Sequence, residues 1–309
     1  MNKKAYFYID DTIWFLRDLT RMKPKSLFDT PLLSVLKKAH DIWELKVQLN
    51  LFWRTDSFYG NDEFTLADVT DAYKEEFEKA SDWLKFAFHA KEEFPDYPHV
   101  NATYKDVYDL FQAIKNEVIR FAGEDSFTYG TCPHWLPVSK EGVKALFDCG
   151  VRVMDATWGD TQEYNGDPFS LPYGHSARLL NNRQSEARVF SRSGPDVAIK
   201  RSICAHNHLS ERDYRATANN MAYVLDEQTQ MKFKVYCSAM CINLIPLSNI
   251  ESVLQEVIGK EFLGICNHEQ YFYKDYFAYQ HDYADRIYKM SEFLADNGYE
   301  FIFIGDEIK

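Results

Sequence analysis

Apolar and polar positions along the chain fall into two alternating kinds of segment. Short runs rich in β-branched and aromatic residues predict strands at 5–9, 46–53, 84–88, 127–131, 151–156, 235–243, 262–266 and 301–304. Stretches of helical period predict helices near 30–43, 68–81, 103–121, 139–149, 211–229, 249–258 and 282–297. Strands and helices taking turns in this way are the pattern of a parallel sheet with crossover helices. Helix ends add local detail. Ser248 with Glu251 reads as a capping box, and Thr103 with Asp106 as a weaker version. Gly150 and Gly298 stand where helices should stop, each followed at once by a strand. The alternation fails at about 159–210, where Asn, Gly, Pro, Ser and Arg are dense. That stretch reads as a long insertion after the fifth strand, either walling a cleft at the C-terminal face of a barrel or forming a surface excursion.

Composition narrows the function classes. Across 309 residues, 35 Lys and Arg face 47 Asp and Glu, a formal charge of −12. The basic residues are scattered, with no run longer than Lys3-Lys4 or Lys37-Lys38, so no basic surface for nucleic acid is expected. No apolar stretch approaches the roughly 18 residues of a spanning helix, and mean hydropathy is −0.43, so no membrane role is expected either. Behind the basic start, the apolar run at 5–9 is shorter than the about 7 to 15 residues of a secretory signal. A cytoplasmic location follows as an expectation. The six cysteines form no CxxC pair and read as reduced thiols. Cys237 and Cys241 could in principle bind metal, but a buried apolar role is the more ordinary reading. Aromatic residues make up 16%, enough for extensive core packing or for a sugar-stacking surface.

In parallel α/β folds, the loops leaving the C-terminal ends of strands carry the site. Those positions hold Asp10 and Asp11, Arg54 and Asp56, His89 and Glu93, His134, Asp155 and Trp158, and then His268 and Glu269. Adjacent carboxylates at Asp10 and Asp11 are costly without a cation or proton to offset their repulsion. A turn at the strand end could aim both inward; a helix N-cap is the plainer reading. His89 and Glu93 would face the same way if the chain turned helically there, and could then share a metal; otherwise they are a surface pair. His134, in Thr131-Cys132-Pro133-His134-Trp135, could be a ligand, a substrate donor or a structural histidine. His268 opens a dense polar and aromatic patch that includes Tyr271, Phe272 and Tyr273, suited to stacking on a sugar ring. His175, His206 and His208 carry no assignment.

With these residues in view, the chain resembles the polysaccharide deacetylases of carbohydrate esterase family four. Tyr8-Ile9-Asp10-Asp11-Thr12 is similar to that family's first motif, and His89-Ala90-Lys91-Glu92-Glu93 to its second, with Glu93 in the second histidine's place. Cys132-Pro133-His134-Trp135, the helix to Gly150 and the strand after it are similar to the third motif, and Ile265-Cys266-Asn267-His268 to the last. The glycine after the aspartate pair and the arginine of the third motif are absent.

The resemblance implies a single domain over 1–309, a distorted (β/α)7 barrel with the insertion after its fifth strand. It implies metal-dependent removal of an acetyl group from a carbohydrate. Asp11, His89 and Glu93 would hold a divalent ion, Asp10 would serve as base and His268 as acid. Arg54, His134, Trp135, Trp158, Glu269 and Tyr271 would meet the substrate. Zinc is one candidate ion, and the ligand set of one imidazole and two carboxylates adds manganese, cobalt and magnesium. Two further readings stand beside it: a glycosidase-like barrel using paired carboxylates such as Asp10 with Glu93 or Asp155, and a catalytically silent carbohydrate-binding protein. The sequence leaves the oligomeric state open.

Overall fold

A computed structural model describes residues 3–55, 63–94, 98–99, 102–136, 138–156, 224–235, 239–276 and 278–306. The insertion expected at 159–210, together with Asp56, Trp158, His175, His206 and His208, lies outside the described residues.

The elements run β1 (Lys3–Thr12), α1 (Trp14–Met22), α2 (Pro31–Trp43), β2 (Val47–Phe52), α3 (Lys74–Ala80), β3 (Leu84–Ala90), α4 (Tyr104–Ala122), β4 (Gly130–Thr131), α5 (Lys140–Asp148) and β5 (Val153–Ala156). After 157–223 come β6 (Val224–Leu225), β7 (Lys232–Val235), β8 (Met240–Cys241), α6 (Ile250–Val257), β9 (Phe262–His268), α7 (Tyr283–Asp296) and β10 (Tyr299–Ile302). One sheet has the order β3-β2-β1-β9-β8, all parallel, with β10 added beside β1. A second has the order β4-β5-β7-β6, parallel except for its antiparallel β6 edge. Between the two, Phe86 of β3 forms a parallel bridge with Phe127, and Thr128 donates its N–H to the Phe86 carbonyl at 2.8 Å. Among the described residues no helix is long and apolar enough to cross a membrane.

Three expectations need correction. The run at 235–243 is not one strand: β7 ends at Val235, and β8 is a separate strand in the other sheet. A helix at 211–229 fails in its described part, where β6 is followed by a turn. Within that turn Asp226 accepts from the N–H groups of Gln228 and Thr229, so local side-chain bonds win over helix. The capping box at Ser248 does not form. The Ser248 hydroxyl turns to the Asn249 side chain and α6 starts without a side-chain cap, whereas Thr103 and Asp106 complete a full box at the start of α4. Gly150 and Gly298 do take the left-handed region, at φ of 107° and 76°.

Strand alternation gives the larger sheet two distinct faces. Ala5, Phe7 and Ile9, with Val47, Leu49, Leu84, Phe86, Leu263 and Ile265, pack with the helices in the main core. The opposite face begins apolar, with Tyr6, Tyr8, Val153, Ile302 and Ile304 in a second cluster. Gly264 is required there, because a Cβ would strike the Tyr6 hydroxyl. Toward the C-terminal strand ends the same face turns polar while staying buried. Gln48 donates to Asn50 at 2.8 Å and to the Gly130 carbonyl at 3.1 Å; Asn50 donates to Asp10 at 2.6 Å. Polar groups at this depth need partners, and this run of amide donors links Gly130, Gln48 and Asn50 to the first aspartate.

Candidate functional site

Adjacent strand residues should point to opposite faces, yet Asp10 and Asp11 both serve one site. Pairing between β1 and β2 slips between Ile9 and Thr12, and Asp11 sits at φ 61°. A bulge at the end of β1 thus rotates Asp11 onto the face that Asp10 occupies. Left-handed backbone costs a residue with a Cβ about 1–2 kcal/mol, which marks the position as functional or strained. Trp135 and Leu136 hold the same strained region, at 59° and 73°, in the turn that presents His134.

His89 Nε2 lies 3.1 Å from Asp11 Oδ1, His134 Nδ1 lies 3.1 Å from the same oxygen, and the two ring nitrogens are 3.1 Å apart. All three residues are buried. Each ring's other nitrogen meets a main-chain carbonyl: His89 Nδ1 that of Cys132, and His134 Nε2 that of Glu93 at 3.1 Å. A neutral imidazole has one N–H, and these carbonyls claim it on both rings. The nitrogens facing Asp11 therefore present lone pairs to each other and to a carboxylate, an arrangement that calls for a cation. Phe52 walls the pair, with ring centroids 5.4 Å from His89 and 5.0 Å from His134. Gln270 donates to Asp11 at 2.9 Å and to Glu93 at 3.0 Å.

Electrostatics follow. Without an ion, burial pushes the Asp11 carboxyl up, but protonated forms of His134, His89 and His268, by charge and by N–H donation from the first two, outweigh it and hold the group well below the ordinary carboxylate range; an ion would take the place of those protons. The His268 ring is lowered to about 4, chiefly by burial, so it is neutral at pH 7. Its Nδ1 meets Asn243 Oδ1 at 3.0 Å.

Donor atoms 3.1 Å apart subtend about 95° at a centre bonded to each at about 2.1 Å, the angle of one face of an octahedron. Asp11, His89 and His134 therefore fit a divalent ion, with ring orientations fixed from behind as metal-ligating histidines require. The expected third ligand was Glu93. His89 lies on a strand, so four-residue spacing does not bring Glu93 to its side; Glu93 instead faces Asp11 across the Gln270 amide. Two imidazoles and one carboxylate also weaken the argument for magnesium, whose ligands are oxygen.

Other expected residues divide. Asp10 lies beside the donor group, with Oδ1 3.8 Å from His89 Nδ1. Trp135 is buried, its ring 6.1 Å from that of His134. Tyr271 has its ring 6.2 Å from that of His268. Two expected substrate residues are engaged in bonds within the protein. Glu269 accepts the N–H groups of Ile13, Trp14 and Phe15 at 2.7, 3.0 and 2.6 Å, so it caps α1 from a distant part of the chain. Arg54 grips Glu92 through two bonds of 2.9 and 2.8 Å. The residues that escaped notice were Asn50, Gln270 and Asn243. Polar side chains alternating with apolar ones in Val47–Phe52 were a readable sign of the first.

No protein-family profile and no curated protein matches the chain. Among solved structures it is similar to a 4-alpha-glucanotransferase from Thermococcus litoralis, with a TM-score of 0.53 and 10% identity over 99% of this chain. The chain spans 40% of that enzyme's length, and the likeness is one of fold.

Proposed function

We propose that this chain is a metal-dependent hydrolase that removes an acyl group, acetyl above all, from a carbohydrate, on a distorted (β/α)7 barrel of the polysaccharide deacetylase type. One observation carries the reading: two imidazoles whose N–H groups are spent on main-chain carbonyls converge with a carboxylate at 3.1 Å. The parallel strand order and the bridge from Phe86 to Phe127 support the barrel, and the glucanotransferase likeness supports carbohydrate as the substrate class.

Asp11, His89 and His134 would hold the ion, with zinc or cobalt suited to this donor set. A divalent ion so held supplies Lewis-acid polarisation of the acyl oxygen and a more acidic water. Asp10, oriented by Asn50, accepts the proton of the attacking water at its carboxylate. Phe52 and Trp135 exclude bulk water from the imidazole side, and Tyr271 offers an aromatic face for a sugar ring. His268, neutral at pH 7, serves the leaving group as a hydrogen-bond donor.

Metal content and acetate release test this reading. Protein purified without chelator should carry an equivalent of metal that His89→Ala and His134→Ala both lose, and should release acetate from acetylated oligosaccharides. Asp10→Asn should keep the metal and lose activity; full activity in that variant removes Asp10 as base. The glucanotransferase likeness favours a second reading, glycosyl transfer through a carboxylate pair drawn from Asp10, Glu93 and Asp155. New glucan chain lengths without acetate release would select it.

A further inference from the structure

A second donor group lies on the other side of Asp10. Cys241 of β8 is the register partner of Cys266 of β9, so the two side chains leave the sheet on one face, and His268 follows two residues later on that same face. Cys241 Sγ is 3.6 Å from His268 Nδ1 and Cys266 Sγ is 4.0 Å from it; the three donor atoms lie within 4.8 Å of one another. All three residues are buried. We infer that Cys241, Cys266 and His268 form a second, thiolate-type metal site, selective for zinc or another thiophilic ion and distinct from the Asp11, His89 and His134 site.

Three observations carry this. Tetrahedral zinc with bonds of about 2.3 Å to sulfur and 2.05 Å to nitrogen places S and N about 3.6 Å apart, the spacing of Cys241 and His268, with Cys266 within about half an ångström of it at 4.0 Å. Two sulfurs and one imidazole are a soft donor set, unlike the first site, so the two would sort ions by chemistry. Finally, Asn243 is placed to support a bound state. Its carbonyl oxygen faces Cys241 Sγ at 2.9 Å and His268 Nδ1 at 3.0 Å, while its buried amide nitrogen has no hydrogen-bond partner among the described residues. Once Cys241 is a thiolate, turning the amide over gives that nitrogen an acceptor, as metal-bound sulfur commonly has.

The chemistry balances without a redox step. Binding releases two thiol protons to solvent and moves the His268 proton from Nδ1, where it faces the Asn243 carbonyl oxygen, to Nε2, so that Nδ1 ligates. Asp10 stands between the sites, with Oδ1 3.8 Å from His89 Nδ1 and Oδ2 3.5 Å from Cys266 Sγ. The inference shares only His268 with the acyl-transfer reading, whose ion would sit on Asp11, His89 and His134, so the two fail separately: loss of the thiolate band leaves the first site standing, and loss of acetate release leaves the second.

Cobalt titration tests it. Apo-protein loaded with Co(II) should bind two equivalents and develop the near-ultraviolet sulfur-to-cobalt charge-transfer band. Cys241→Ser and Cys266→Ser should each bind one equivalent fewer and lose most of the band. His134→Ala should keep the band while losing the other equivalent, and Cys149→Ala, on α5's C-terminal end, should change nothing. Absence of the band in wild-type protein overturns the site whatever the variants do, as does a full-strength band in both cysteine variants. If a serine variant fails to fold, metal protection of wild-type thiols against alkylation decides. Zinc should shield two more thiols in native protein than in chelator-treated protein, and equal labelling refutes the site.

Discussion

Asp11 and Glu269 are both buried carboxylates, and burial raises both, yet one ends far below the ordinary range and the other is raised to about 7. The difference lies in what faces them. Asp11 meets two imidazoles that can carry charge, and their attraction overcomes desolvation. Glu269 meets three backbone N–H groups and the Tyr273 hydroxyl, dipoles that only partly offset it. A buried carboxylate facing chargeable rings is poised for a cation. One facing a helix N-terminus holds two segments together.

The largest effect should come from removing the dipole-facing group. Glu269→Leu leaves three buried N–H groups without an acceptor, at about 1–3 kcal/mol each, so stability should fall by about 3 kcal/mol or more in urea unfolding. A loss under about 1 kcal/mol would mean that water replaces the carboxylate.

The pH dependence of metal-free protein separates the groups further. Glu269 is raised from 4.5 to about 7, so its contribution is complete below pH 4.5 and is lost as pH rises through 7, roughly 3 kcal/mol in all. His99 and His268 are lowered from 6.5 to about 4, so theirs is complete above pH 6.5 and is lost as pH falls through 4. These trends oppose each other. Glu269→Gln should therefore make stability climb more steeply from pH 4 to 7 than in wild type; parallel curves would show that Glu269 does not titrate there.

For the imidazole-facing carboxylate, Asp11→Asn should weaken metal binding at its site by on the order of a hundredfold or more, read by titration calorimetry. Its effect on metal-free stability should differ in sign of pH dependence from that of Glu269→Gln, because a depressed carboxyl contributes above pH 3.8 and loses that contribution below it.

The smallest effect should fall on a carboxylate that caps its own helix at the surface. Thr103→Ala should remove about 1 kcal/mol by breaking the box with Asp106, and Ser248→Ala should change stability by under about 0.5 kcal/mol, since no box forms there. Equal losses from both would contradict the observed caps.

The expected strands at 5–9, 46–53, 84–88 and 262–266 coincide with β1, β2, β3 and β9 because each is rich in apolar and aromatic residues and buried on both faces along most of its length, as a covered parallel strand is. Helix α1 passed unnoticed because its cap, Glu269, is 255 positions from Trp14 and leaves no local mark. The site divides the same way. Asp11 and His89 stand out because a paired carboxylate and a histidine end apolar strands. Replacing Glu93 by His134 in the donor group needed the strand geometry at His89 and the left-handed turn through Trp135, which spacing alone does not encode.

Sequence by itself determined the alternation of strand and helix, the polar strand ends and the charge balance. Tertiary structure decided which of those polar residues meet. Hydrophobic periodicity is a short-range property read over a few residues, whereas the bulge that turns Asp11 inward and the carbonyls that orient His89 and His134 come from segments 43 and 41 positions apart. The pairing of Cys241 with Cys266 likewise comes from strand register, not from any motif.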